Sequence, residues 1–429
     1  DWALLERWDR AYYLHNVQAQ AEYAFTGVER VDGNWLTLAG GHRLLDFQSQ
    51  LISDSLGHRH PRVHAEIARA MERYGHVFFG MATDYRARAA KLVMEDVLGA
   101  PDSWAGRLRI LSTGTEGAEV AMAMARLYTG RPLILSQRAS YHGLVPGATQ
   151  LRGYRGNLTP ADQPGAVLDV PGAAPSPGFV AIPQPEFFDD PRAELPSLAE
   201  TERIILETGP ENIAAVITET MFGAGGLLPP DRYNRGLVEL CRRHGILWIA
   251  DEVLTGFGRL GEWFAWQTVQ GMPAPDLMVV GKGINGCVLP VGGVVASVEL
   301  GEWFDRARWW SGSTHDAHPL VCASIVGALE WMLEEDVVAQ VRERGAALGA
   351  RLQQLQAAHP CVGRAAGRGF YWAVDLVGPD GAPIVADDRE TGFLGDLSVT
   401  PNNVVAAECG RRGVFLGGFV PNTIKVAPP

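Results

Sequence analysis

Apolar residues along this chain arrive in two rhythms. Short runs closed by turn residues alternate with stretches in which apolar positions recur every third or fourth residue. The first rhythm predicts strands and the second helices. From about residue 107 the two alternate regularly. Residues 108–111 predict a strand, Ser112-Thr113-Gly114-Thr115 a small-residue turn, and 116–128 a helix stopped by Gly130 and Pro132. Strands follow at 133–135, 179–182 and 214–218, with a helix over 198–206 between the last two. Residues 150–178 are rich in Gly and Pro and predict a long surface excursion. Pro229-Pro230 opens another helix, which Gly245 ends. Residues 246–250 and 277–280 are two more apolar runs, short and branched enough for buried strands. Repeated β-then-α units of this kind imply an α/β fold with a parallel sheet covered on both faces.

Both flanks depart from that alternation. Residues 33–38 and 42–47 predict two strands joined around Gly40-Gly41, and Pro61 opens a helix with Val63, Ile67 and Met71 on one face. After Pro319 come helices over 323–333 and 337–355, then strands at 370–375 and 424–426, the pattern of a smaller α+β unit. The expected division is an N-terminal segment 1–60, a large domain 61–318 and a small domain 319–429. A length of 429 residues suits two domains and a third small piece.

Composition narrows the function. Hydrophobic residues are 47% and charged residues 20%, as in a globular protein. A net charge of −12 argues against nucleic acid and against an anionic membrane surface as partners. No apolar run reaches membrane-spanning length, and the start has no signal-peptide core. The five cysteines are scattered, which suits a reducing cytoplasm. The chain begins without Met and stops at Pro428-Pro429, so either end can be incomplete.

The chemistry concentrates where apolar runs stop. One ends at Asp251 and another at Gly281-Lys282. In an open parallel sheet the strand C-termini share one edge, where ligands bind. An acid and an amine converging there suit pyridoxal phosphate, which takes the lysine as a Schiff base and the acid at its pyridinium nitrogen. The bland alternative is a solvated turn acid and a surface lysine. Glu219 ends a third run on the same edge, and two acids placed together need a reason. The turn at Gly114-Thr115 joins a strand to a helix N-terminus, a place for phosphate. Taken alone, an ordinary helix cap is favoured there. Tyr141-His142-Gly143, just past a strand, could stack on a planar ring or simply pack.

Two further patterns carry less. Gly256–Gly261 and Gly281–Gly286 both fit G-x-G-x-x-G, but neither has the strand-then-helix setting of a dinucleotide site. His58/His60 and His315/His318 invite a metal, yet their settings favour structural or hydrogen-bonding roles. No metal is expected.

Together these pieces resemble the class III pyridoxal-phosphate aminotransferases of the fold type I superfamily, from about Gly33 to Pro429. Ser112-Thr113-Gly114-Thr115-Glu116 is similar to the family's S-G-S/T-E phosphate turn, and Tyr141-His142-Gly143 to its Y-H-G ring-stacking site. The run from Asp251 to Arg259 is close to D-E-V-x-T-G-F-G-R. Gly281-Lys282-Gly283 matches the Schiff-base lysine, and the run from Gly312 to Pro319 resembles T-Y-S-G-H-P. The resemblance implies a mostly parallel seven-stranded sheet covered by helices, plus a small α+β domain built from both chain ends. It implies Lys282 and Asp251 as catalytic residues. Gly114, Thr115, Tyr141, His142, Glu219 and Val253 would join them around the cofactor. Thr314 would bind the cofactor phosphate of the neighbouring subunit, which implies a homodimer with shared active sites.

Within that family the runs 47–51 and 57–61 resemble the ω-aminotransferase branch that includes taurine–pyruvate aminotransferase. Two departures matter. Val17 stands where that branch carries Trp, which widens the pocket. Gly418 falls where many relatives carry a carboxylate-binding arginine. The family also has Asn or a similar residue where this chain has Ala118. Val17, Tyr141, Arg259 and Gly418 are the candidate substrate contacts. The expected reaction moves the amino group of a primary amine to a keto acid such as pyruvate or 2-oxoglutarate. The expected amine is bulky and lacks an α-carboxylate, such as an amino sugar or natural-product amine. The alternatives are an epimerase or aminomutase using the same lysine, a taurine or β-alanine transaminase, and a non-catalytic cofactor-binding relative.

Overall fold

The computed structural model describes residues 1–15, 20–137, 140–143, 178–183, 194–223, 225–384, 400–417 and 422–429. Val17, Gly418 and nearly all of the excursion at 150–178 lie outside the described residues.

Seven strands form the central sheet, in the order Ala105–Leu111, Gly292–Ser297, Leu277–Gly281, Leu247–Asp251, Ile213–Thr218, Leu133–Gln137, Phe179–Ile182. Neighbours are parallel except at Gly292–Ser297, which runs against both strands beside it. Successive residues of each strand serve opposite faces. Ile249 and Val279 pack with helix Gly114–Thr129. Trp248, Ala250, Met278 and Val280 join a second core with helices Asp231–Arg243 and Pro319–Glu334. Burial on both faces is why these strands read as continuous apolar runs.

The apolar pattern does not announce Gly292–Ser297, which opens on two glycines. A Cβ on Gly292 would lie 2.0 Å from the Thr113 carbonyl oxygen, so the strand passes the turn at 112–115 only without a side chain. Helix Pro61–Arg73 corrects the expected face. It buries Val63, Glu66 and Ala70, while Met71 is 63% exposed. The reason is a close crossing with helix Pro319–Glu334, where a Cβ on Gly327 would come within 2.9 Å of the Val63 Cα. Glu66 tolerates burial because Tyr85 Oη donates to it at 2.8 Å and Arg69 pairs with it.

Both chain ends build the smaller α+β part. Val28–Asp32, Trp35–Leu38 and Arg43–Asp46 form an antiparallel meander, and Val414–Phe415 joins its edge in parallel. Val362–Arg368, Tyr371–Leu376 and Thr423–Val426 form a third sheet. Helix Pro319–Glu334, at the start of the expected 319–429 segment, packs into the core of the large sheet. No described helix is long and apolar enough to cross a membrane.

His58 secures the N-terminal segment. Its Nε2 lies 3.1 Å from Asp46 and its Nδ1 3.0 Å from Asp54, and Asp46 is fully buried. Hydrogen bonds to Asp46 and then Asp54 hold the imidazole up at about 9, against an ordinary value of 6.5. A group raised on folding stabilises fully below its unfolded value and loses that contribution as pH climbs through the folded one. Denaturant titrations should therefore show stability falling between pH 6.5 and about 9. His58→Gln should flatten that fall, removing about 2 kcal/mol below pH 6.5 after allowance for solvent screening. An unchanged pH profile in the variant would refute the clamp.

Candidate active site

Because the strands run in parallel, their C-terminal ends open on one edge. Asp251 is the last residue of Leu247–Asp251, Glu219 follows Ile213–Thr218, and Lys282 follows Leu277–Gly281. His142 lies just beyond Leu133–Gln137, and Thr113 caps helix Gly114–Thr129. Glycines let these loop tips touch. A Cβ on Gly114 would come within 2.7 Å of Val253 Cγ1, one on Gly281 within 3.2 Å of the same atom, and one on Gly143 within 2.4 Å of Thr115 Oγ1. Four separate stretches of sequence thus meet.

Asp251 is 6% exposed, and both its oxygens are engaged. Oδ1 accepts the Val253 N–H at 3.0 Å, and Oδ2 lies 2.6 Å from His142 Nδ1. The other ring nitrogen, Nε2, lies 3.2 Å from Ser136 Oγ, which meets Ser140 Oγ at 2.7 Å. The acid is therefore fixed from behind by a buried polar chain. Its neighbour Glu252 faces elsewhere. It accepts from Thr255 Oγ1 at 2.5 Å and from the backbone of Ala265 and Trp266 at 2.9 and 3.0 Å. Burial pushes Glu252 up to about 7, and its bonds tie the following loop to the strand end.

Glu219 accepts N–H bonds from Tyr141 at 2.9 Å and Gly223 at 2.7 Å. Burial pushes it up to about 7; Asp251 adds to the rise and His142 opposes it. Lys282 is lowered, chiefly by burial, while Asp251 and Glu219 pull the other way. Its backbone has φ +40°, a conformation that costs a non-glycine residue about 1–2 kcal/mol. Among the described residues nothing bonds to its Nζ. A strained, half-buried amine with no hydrogen-bond partner among the described residues is a group available to a ligand.

Sequence reasoning overlooked Lys425. It lies within Thr423–Val426, 6% exposed, and donates to the Gly223 carbonyl at 2.6 Å. Burial, with Lys282 nearby, lowers it to about 8. The available signal was its setting: a lysine inside an apolar strand, in a chain with only three lysines.

Two other candidates have different settings, though the Arg259 charge reaches Lys282 and lowers it. Arg259 is 4% exposed and clamps the backbone, donating to Pro428 O at 2.6 Å and Asp54 O at 3.1 Å. Thr314 is exposed, on the turn before helix Pro319–Glu334. Thr113 is indeed a helix cap, accepting from the Glu116 N–H at 3.1 Å, and the same helix end still faces Val253.

These residues fit one cofactor. Pyridoxal phosphate needs an unpaired amine, a fixed acid for its ring nitrogen and an anion-binding helix end, and this sheet edge brings all three within one cluster. Architecture and chemistry together place the protein among the fold type I pyridoxal-phosphate enzymes. The profile of the class-III aminotransferases matches residues 17–429, and the chain belongs to that family. It is 29% identical to the putrescine–pyruvate aminotransferase of Pseudomonas aeruginosa, over 94% of this chain and 86% of that protein. An S-selective transaminase from Bacillus megaterium superposes with a TM-score of 0.93 at 37% identity, covering 100% of this chain and 93% of that one. The taurine:2-oxoglutarate aminotransferase of Bifidobacterium kashiwanohense, solved with pyridoxal phosphate and glutamate, superposes with 0.89 at 28% identity, over 100% and 93%. The protein is a pyridoxal-phosphate-dependent transaminase, moving an amino group from an amine to a keto acid.

Proposed function

We propose that Lys282 is the covalent lysine and proton carrier of this transaminase, with a bulky primary amine lacking an α-carboxylate as donor. The acceptor is a keto acid such as pyruvate or 2-oxoglutarate. The observation that supports the catalytic assignment is the placement of half-buried Lys282 and buried Asp251 at one sheet edge.

Pyridoxal phosphate supplies the electron sink for the bond broken at the amine-bearing carbon. The residues do the rest. Burial raises the fraction of Lys282 present as free amine, so its Nζ can attack, and can then take a proton and return it. Asp251, aimed by His142, would keep the ring nitrogen protonated. The N–H groups at Gly114 and Thr115 would hold the phosphate at the helix end. Tyr141 would stack on the ring, with Val253 and Glu219 beside it.

Thr314 serves the phosphate of a partner subunit in a homodimer. Exposed Trp8, Tyr12, Phe78 and Trp310 give a second copy apolar surface to cover. The working location is the cytoplasm.

For the donor, Gly418 removes the expected arginine, and the Pseudomonas relative is named for putrescine, which has no carboxylate. Lys425 then offers a cation for the keto acid's carboxylate. A donor panel tests the reading, run on wild type and Lys425→Met. Amino sugars or bulky amines should outperform taurine and β-alanine, and the variant should raise KM for pyruvate about tenfold. Strong preference for taurine or β-alanine would overturn the donor class. An unchanged pyruvate KM would remove Lys425 from the site.

A further inference from the structure

His315 and His318 have poor spacing for a metal when read along the chain, but the fold adds a third histidine. His76 lies between helices Pro61–Arg73 and Asp84–Lys91 and faces the turn before helix Pro319–Glu334. Ring centroids are 5.6 Å apart for His76 and His315, 5.8 Å for His76 and His318, and 5.8 Å for His315 and His318. One ligand nitrogen from each ring lies within 4.8 Å of the other two. Three nitrogens on one zinc ion sit about 3.4 Å apart, with Zn–N about 2.1 Å. Binding an ion therefore requires the three rings to draw together by side-chain rotation.

The turn that carries two of the rings is held in place. Asp316 Oδ2 pairs with Arg109 at 2.6 Å, and the Ala317 N–H donates to Ile110 O at 3.1 Å. Ala317 adopts φ +48°, a strained conformation for alanine. The other oxygen of Asp316 is buried without a hydrogen-bond partner, which leaves negative charge unspent on the same turn.

We propose that His76, His315 and His318 form a three-histidine site for one divalent transition-metal ion of the zinc or nickel type. The ion ties the segment after helix Pro61–Arg73 to the turn that carries Thr314. Imidazole nitrogens select such ions over calcium or magnesium, and the remaining coordination positions go to water. Binding has a cost. His318 Nδ1 accepts the Leu320 N–H at 3.3 Å, and coordination through either nitrogen gives up that long cap bond. The positive end of the following helix opposes the ion as well.

The test is calorimetric titration of Zn²⁺ into tag-free, chelator-stripped holoenzyme. We expect one ion per chain and a rise in Tm with Zn²⁺ concentration. His76→Ala and His315→Ala should each weaken binding by tenfold or more and abolish the Tm rise. Both variants should retain cofactor absorbance and the metal-free unfolding midpoint, which separates loss of the site from loss of the fold. Wild type binding Zn²⁺ no more tightly than either variant would overturn the assignment. So would a Tm rise of equal size in all three proteins.

Discussion

Lys282→Ala should abolish turnover, lowering kcat by about 10⁴-fold or more, because one side chain supplies both the nucleophile and the proton carrier. No other amine can substitute. Of the three lysines, Lys91 is a surface residue paired with Asp96 at 2.6 Å. Lys425 stands on a strand of another sheet, Thr423–Val426, with one N–H on Gly223 O. The substitution removes a strained, half-buried amine, so folding should survive and stability should not fall. Steady-state assay of the purified variant, with circular dichroism as the control, decides it. Activity within tenfold of wild type would refute the role of Lys282.

Asp251→Asn should lower kcat by about 10²- to 10⁴-fold while the protein still binds cofactor. The size of the effect follows from burial. Asp251 is the charge that His142 fixes, and neutral Asn cannot hold a ring nitrogen protonated. A second readout separates this from mere misfolding. Asp251 raises the pKa of the Lys282 amine, so in the cofactor-free protein its removal should move the pH midpoint for modification of Lys282 by an amine-directed reagent downward. An upward or absent shift would contradict the electrostatic account.

Much of this was legible before any coordinates. The apolar runs at 246–250 and 277–280 end at the very residues that meet in the site, because a strand buried on both faces has no room for a charge until it leaves the core. The helix from 116 to 128 and its cap were equally plain. What stayed hidden was hidden for physical reasons. Gly292–Ser297 is a strand chosen for what it lacks, side chains beside Thr113, and no apolar rhythm records that. Spacing puts Met71 on the buried face, but the helix crosses Gly327 at Val63 and Glu66, and the face so turned inward carries Ala70. Lys425 and His76 depend on contacts between distant segments, Gly223 with strand Thr423–Val426 and the turn at 315–318 with the loop at 76. Arg259 matched a motif, yet only the fold shows its guanidinium spent on backbone carbonyls.

The central claim is that one particular lysine carries the cofactor, and reduction in place tests it most directly. Holoenzyme treated with borohydride, digested and sequenced by mass spectrometry should carry one phosphopyridoxyl group per chain, on the peptide containing Lys282. With only three lysines in the chain, the readout has few possible answers. Label on Lys425 or Lys91, or no label after full reconstitution with pyridoxal phosphate, would contradict the account.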